Sequence, residues 1–437
     1  MNYYLAIDIG ASSGRHILGH YDENGRLQIE EIYRFRTGLV KEKDGSLHWD
    51  IASLVSDVFT GLKKAKQIGK IPCSIGIDTF GVDYALLDKD DKLIGEVMSY
   101  RDERTVAAKE RFMAPSLLFS LTGVQPQAFD TAYQLYCDKG VGKLDNAKTI
   151  LLLPSYLAFL LTGIKQNELS IMSTSALLDS RAYDFSDPML SHLGLSAKEF
   201  GTILEAGTLI GPFTQEVANK VGYTAGVYAS LTHDTASAFY GSSSLPNDVL
   251  LSSGTWSLLG AIIDKPIIDA TSYKAGFTNE LSHKGEVRFL KNIMGMWLIN
   301  RVKREASREI SILEIVDGAR NGSSYSPTFD AGDESLFSPD NMTEAIMSLL
   351  EKDGNRLPKS DSELYYCIYH SLAESYKKAI GELIKITGKT FTGICIFGGG
   401  SKNSFLNELT EKVTGLPVHV GPSEATAIGN ILSFAKK

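Results

Sequence analysis

Asp8-Ile9-Gly10-Ala11-Ser12-Ser13-Gly14-Arg15 closes one apolar run, Tyr3 to Ile7, and opens another, His16 to Gly19. A turn with two glycines and two serines between adjacent strands can aim backbone N–H groups at an anion, with a carboxylate at the rim. Glycine and serine also favour an ordinary hairpin turn, so the octapeptide by itself fits both readings. The residues around it carry the fold. Tyr3–Asp8, Arg15–Tyr21 and Leu27–Phe35 read as consecutive strands, with Asp22-Glu23-Asn24-Gly25 as the second turn. Asp50 then offers an N-cap before Ile51, Leu54, Val55, Val58, Phe59 and Leu62, the stripe of an amphipathic helix. Strand signals resume at Cys73–Thr79 and Asp83–Asp88, joined at Phe80-Gly81-Val82. Three antiparallel strands, a helix and a further strand is the order of a ribonuclease-H-like α/β unit.

From Arg101 to about Gly226 the texture turns to helices and loops, which reads as an insertion on that unit. Strands return at Asp248–Ser253 and Trp256–Ile263 around Ser253-Gly254-Thr255, repeating the opening pattern of strand, small-residue turn, strand. Ser360-Asp361 precedes a long amphipathic helix closed by Gly388, a strand over Gly393–Phe397 runs into Gly398-Gly399-Gly400, and a helix over Asn403–Thr414 leads to a short strand at Val418–Val420. The two halves share one plan. At 437 residues the chain exceeds the size of one growing core. The expectation is two α/β domains, 1–243 and 244–437, with a cleft between them.

Hydrophobic residues at 43% and charged residues at 22% belong to a globular chain, not a disordered one. The formal charge of −8 is dispersed and the basic clusters are short, which argues against nucleic acid as a partner. Cys73, Cys137, Cys367 and Cys395 have no zinc or C-x-x-C spacing and read as small core residues in a reducing compartment. The N-terminus lacks a basic leader, and no apolar run has membrane-spanning length, so a cytoplasmic protein with no membrane partner is expected.

Phosphoryl transfer needs donors around the phosphates, a metal held by carboxylates or their waters, and a base at the acceptor. Gly10–Gly14 and Ser253-Gly254-Thr255 supply donors, Asp8 can hold a metal through water, and Asp234 can accept a proton. Each has a plainer reading: Asp234 as a helix cap, His233 as a hydrogen-bonded core histidine, Trp256 and Trp297 as core. Three glycines at 398–400 are entropically costly to order and point to close approach of backbone to a ligand. G-x-x-x-x-G-K-[ST] does not occur, so the P-loop signature is missing.

Six collinear segments decide among these readings: Ala6 to Arg15, Ser74 to Asp83, His233 to Ser237, Leu251 to Ser257, Leu290 to Gly295 and Gly421 to Ala425. Together they resemble the FGGY carbohydrate kinases from residue 3 to about 430. The resemblance implies two ribonuclease-H-like domains of the actin/hexokinase kind, ATP and Mg2+, and phosphorylation of the 1-hydroxyl of a six-carbon deoxyketose. L-Rhamnulose is the favoured acceptor; L-fuculose or L-xylulose, and a non-catalytic ATP-binding regulator, are the alternatives. It assigns the base to Asp234, ketose contacts to Gly81, His233, Asp234, Thr235 and Asn292, and the first phosphate loop to Ala11, Ser12, Ser13, Gly14 and Arg15. Gly10 shapes that turn, Thr255 lies in the second loop, Gly399 faces adenosine, and Asn300 stands where the family often has glutamine. Magnesium is expected near Asp8, through water. Pro154-Ser155-Tyr156 and Phe129-Asp130-Thr131 depart from the family pattern, as does the short run after Gly429-Asn430, which implies an open adenine side. On this reading the Asp234 carboxylate lies across the interdomain gap from the turn at Gly10.

Overall fold

A computed structural model describes residues 2–283, 285–337 and 339–435. Strand β1 (Tyr3–Ile9) pairs antiparallel with β2 (Ser13–Tyr21), which pairs with β3 (Leu27–Arg36). Helix α1 (Ile51–Gln67) follows. Its N-cap Asp50 accepts from the Ser53 N–H at 2.9 Å, and it buries Ile51, Leu54, Val58, Phe59 and Leu62. Strand β4 (Pro72–Thr79) then returns parallel to β1.

The next strand, β5 (Tyr84–Leu87), leaves this sheet and pairs with β6 (Thr149–Leu152), just before α2 (Leu153–Thr162). The turn between β4 and β5 explains the departure. Val82 sits at φ +70°, where a β-branched residue is strained, and redirects the chain. The sheet is completed by β7 (Thr208–Pro212) and β8 (Gly226–Ala229), in the order β7-β8-β4-β1-β2-β3. The helical insertion read as running to about 226 therefore ends earlier, because Thr208–Pro212 belongs to the main sheet. Helix α3 (Asp234–Tyr240) begins a few residues after β8, which is parallel to β4.

The second half repeats the plan. Strands β9 (Asp248–Ser253), β10 (Trp256–Ile263), β11 (Phe277–Leu281) and β12 (Val287–Met294) precede the long helix α4 (Asp361–Thr387), capped by Ser360 and closed by Gly388 in the left-handed region. Strand β13 (Gly393–Phe397), helix α5 (Ser404–Thr414) and β14 (Val418–Val420) follow, and the sheet order is β11-β12-β10-β9-β13-β14. As β1 pairs antiparallel with β2 and parallel with β4, so β9 pairs antiparallel with β10 and parallel with β13.

The chain resolves into two compact units, and a single cut at 243/244 does not separate them. One comprises Met1–Gly241, Ile262–Phe289 and Ala425–Lys437; the other comprises Ser242–Ala261 and Leu290–Glu424. The hairpin segment joins the first unit through polar contacts: Asn279 bonds the Gly123 carbonyl through its backbone N–H and its side chain, and the Gln125 N–H reaches Thr278 Oγ1. The C-terminal helix α6 (Ala425–Phe434) joins it through close packing on α3, β1 and β4. Ala427, Ile431 and Phe434 form an apolar cluster with Tyr4, Ala6 and Ile17.

Glycine makes this docking possible. A Cβ on Gly429 would lie 1.8 Å from the Ser237 carbonyl oxygen, and one on Gly241 would lie 2.1 Å from that of Ala425. Gly429→Ala should therefore lower stability by about 1–3 kcal/mol through overpacking. Urea denaturation checks this; an unchanged midpoint would show that α6 docks more loosely.

Candidate active site

Strand register builds the site. Asp8 is the cross-strand partner of Arg15 on β2 and of Asp78 on β4, so a guanidinium and two carboxylates form one row across three strands. Arg15 Nη2 lies 2.5 Å from Asp8 Oδ2. Asp78 is fully buried; one of its oxygens accepts from the Asn430 amide on α6, while Oδ1 has no hydrogen-bond partner among the described residues. Burial pushes the Asp78 pKa well up, with Asp8 and Asp234 adding in the same direction. One residue further along, Thr79 bridges to His233 and its N–H donates to the Thr232 carbonyl. This sets the first residue of α3, Asp234, at the carboxyl ends of the parallel strands, where open α/β sheets hold ligands.

Asp234 is the first helical residue, with His233 in the cap position and making no side-chain cap bond. Its side chain is 30% exposed. Oδ1 accepts from Thr235 Oγ1 at 3.1 Å and lies 3.4 Å from His233 Nε2. Loss of solvent raises its pKa, opposed by His233 and reinforced by Asp8. Asp234 and the Gly10 turn belong to the same compact unit, so the expectation that a gap between domains separates them is corrected. The short connection from β8 to α3 is the reason.

In the turn itself the Gly10 N–H donates to the Ser13 carbonyl at 3.0 Å, and Thr37 Oγ1 donates to the Gly10 carbonyl at 2.7 Å. Ser12 is exposed, whereas Ala11, Ser13 and Arg15 are half-buried. Gly14 is buried and has a packing reason to be glycine: a Cβ there would lie 2.1 Å from the Phe35 ring. Gly81 sits beside Thr174, whose Oγ1 accepts from the Val82 N–H at 3.2 Å, and the Val82 carbonyl accepts from Thr131 Oγ1 at 2.6 Å. The departure at Phe129-Asp130-Thr131 thus grips the strained residue next to Gly81. Ser155, in the other departure, is buried at the start of α2.

Thr255, Asn292, Asn300 and Gly399 belong to the second unit. Here the Thr255 carbonyl accepts from the N–H groups of Gly295 and Trp297, and that of Gly254 accepts from Met296, pinning the small-residue turn from below. Thr255 and Asn292 are exposed and Asn300 is half-buried. The glycine triplet divides: Cβ atoms on Gly398 and Gly400 would lie 3.0 and 2.9 Å from the Ser253 carbonyl oxygen, whereas Gly399 faces open space. Packing against Ser253 accounts for two of the three. Trp256 is 40% exposed and edges against Phe337, so it is not core; Cys73 is likewise exposed.

Several residues of the site carried no role in the sequence reading. Asp78 ends an apolar strand just as Asp8 does, and that parallel was its available signal. Asp83 is buried and accepts from Trp49 Nε1 at 2.6 Å, the Tyr100 N–H at 3.0 Å and Gln134 Nε2 at 2.8 Å, under a cluster of Trp49, Phe80, Tyr100 and Phe129 rings. Glu168, Glu280 and Arg288 surround His233 from distant segments.

A two-domain α/β kinase is the class of protein this arrangement defines. Residues 3–241 match the N-terminal domain of the FGGY family of carbohydrate kinases and residues 249–435 its C-terminal domain. The chain belongs to the FGGY family of carbohydrate kinases. Similar curated proteins include the rhamnulokinase of Enterococcus faecalis, 39% identical over 98% of this chain and 88% of that protein, and that of Halalkalibacterium halodurans, 38% identical over 99% and 93%. Among solved structures, a xylulose kinase from Lactobacillus acidophilus superposes with a TM-score of 0.84 at 18% identity, covering 99% of this chain and 89% of that one. Plasmodium falciparum glycerol kinase with ADP gives 0.82 at 15%, covering 99% and 89%. These two support the fold alone. Among the described residues no helix is long and apolar enough to cross a membrane.

Burial raises the Asp83 pKa to about 7 despite its three donors. An acid whose folded pKa lies above its unfolded value near 4 favours unfolding as pH rises between the two, here by on the order of 4 kcal/mol from pH 4 to 7. In Asp83→Asn the fall in urea midpoint over that window should be shallower than in the wild type, although the variant is less stable at pH 4, where its amide meets a facing donor. Parallel curves would exclude Asp83 as the titrating group.

Proposed function

We propose that this kinase transfers the γ-phosphate of ATP to the 1-hydroxyl of L-rhamnulose, giving the 1-phosphate. The observation that carries the chemistry is the placement of Asp234, a partly exposed carboxylate with raised pKa, beside His233 and Thr235 at the start of α3. A base works best when its pKa approaches the working pH, and desolvation moves Asp234 that way. Asp234 takes the hydroxyl proton as the oxygen bonds to the γ-phosphorus, and the bond from that phosphorus to the bridging oxygen breaks, leaving ADP. The choice of sugar is supported by the names of the curated relatives, rhamnulokinases at 34–39% identity over nearly the whole chain.

The residues fit a magnesium ion. Among the described residues Asp78 Oδ1 is buried without a hydrogen-bond partner, and Asp8, Asp78 and Asp234 bring three carboxyl groups together beside the Arg15 guanidinium. Asp8 would hold the ion through water, with Asp78 behind it; among the described residues no three His, Cys, Asp or Glu groups converge to hold an ion directly. When bound, the ion supplies charge neutralisation at the phosphates. Ser12 and the backbone of the Gly10 turn, together with Thr255, Asn300 and Gly399 of the second unit, are the nucleotide contacts of this reading. Gly81, His233, Thr235 and Asn292 are those to the ketose. The reading includes a cytoplasmic setting, where the four free cysteines stay reduced.

Asp234→Asn should keep the fold and ATP binding while turnover falls by about 10²–10⁴-fold, the usual contribution of a general base. Retained turnover would remove Asp234 from that role. A coupled ADP-release assay over L-rhamnulose, L-fuculose and L-xylulose should show the highest kcat/KM with L-rhamnulose; preference for another ketose would reassign the acceptor.

A further inference from the structure

Behind His233 lies an ion pair that catalysis by Asp234 does not itself require. Arg288 on β12 is fully buried, with Nη1 3.0 Å from Glu280 Oε2 on β11. Glu280 Oε2 is 3.3 Å from His233 Nδ1, and the Arg288 Nη1 and Nη2 atoms are 3.4 and 3.3 Å from the same nitrogen. The opposite ring nitrogen, Nε2, is 3.4 Å from Asp234 Oδ1. The backbone beneath the ring is also held: the His233 N–H donates to Ser170 Oγ, and Glu168 accepts from Ser170 Oγ, the Thr232 N–H and Thr232 Oγ1.

A buried arginine is expensive. Desolvating each charge costs several kcal/mol, and an apolar pair of similar volume often stabilises a fold as well or better. Stability alone is a weak reason for Glu280 and Arg288, especially since Arg288 Nε has no hydrogen-bond partner among the described residues. Geometry gives a stronger one. An imidazole turns freely about its side-chain torsions unless both faces or both nitrogens are constrained, and the pair constrains Nδ1 while Asp234 meets Nε2.

Resting on the assignment of Asp234 as the base, we propose that Glu280 and Arg288 are positioning residues, a buried pair that locks the His233 ring so that Nε2 faces the Asp234 carboxylate. His233 and Thr235 then both hold Oδ1 of the carboxylate, which is directed at the acceptor hydroxyl. Neither Glu280 nor Arg288 touches the reacting atoms.

The test is the charge-neutral swap Glu280→Gln/Arg288→Met, which removes one charge of each sign together. The expected result is a folded protein with KM for ATP within about two-fold of wild type and kcat lower by about 10- to 100-fold, the scale of a misplaced catalytic group. In a His233→Gln background the swap should change kcat by less than about two-fold, because the pair acts through the ring. Long-range 1H–15N spectra, with His233 assigned among the eight histidines by its loss in His233→Gln, should show one fixed tautomer in the wild type and averaged nitrogens in the swap. If the double variant fails to fold, Glu280→Gln alone carries the same spectral comparison. Wild-type kcat in the folded swap, full multiplication of the two effects, or an unchanged His233 spectrum would each overturn the proposal. Failure of the base assignment is separate: it appears as turnover retained in Asp234→Asn, whatever the ring does.

Discussion

Like charges set side by side in neighbouring strands repel, and the first unit is built around one such pair. Parallel pairing of β1 with β4 puts Asp8 opposite Asp78 at the ends of two apolar strands. Each neighbour eases the repulsion in a different way. Arg15, opposite Asp8 on β2, supplies a positive charge, and Asn430 on α6 supplies a hydrogen bond to Asp78. The cost left over resides in Asp78, buried and driven toward its protonated form. The fold holds the pair in this condition because the strands that carry the aspartates are anchored by the apolar core beneath them.

The same constraint explains why α6 must dock where it does. Asn430 can reach Asp78 only if the helix approaches β4 closely, and a Cβ on Gly76 would lie 2.3 Å from the Asn430 amide oxygen. Gly241 and Gly429 permit the matching approach to α3. Helix α3 carries Asp234, so the packing that satisfies one aspartate also fixes the helix that presents another. Fold stability and the geometry of the site share these glycines.

The second polar layer, from Glu168 to Arg288, follows a related logic. Its members come from the insertion, the β8–α3 connection and the β11–β12 hairpin, three segments far apart in the chain. Buried charges in such an arrangement are satisfied only when all three segments are in place, which couples the form of the His233 environment to completion of the fold.

The chain's own pattern determined the α/β alternation, the duplicated strand–turn–strand openings and the caps of α1 and α4, because periodicity and capping act over a few residues; residue type singled out Asp8, the Gly10 turn and Asp234 as candidates, and the resemblance supplied the roles proposed for them. Tertiary structure alone decided that β5 leaves the main sheet, that Thr208–Pro212 joins it, that residues 262–289 and 425–435 pack with the first unit, and that Asp78, Glu280 and Arg288 stand around the predicted aspartates. Two glycines of the 398–400 triplet also proved to be packing requirements against Ser253. These outcomes depend on strand register and on contacts between residues separated by tens to hundreds of positions, and no local sequence signal encodes a distance that only the folded chain creates.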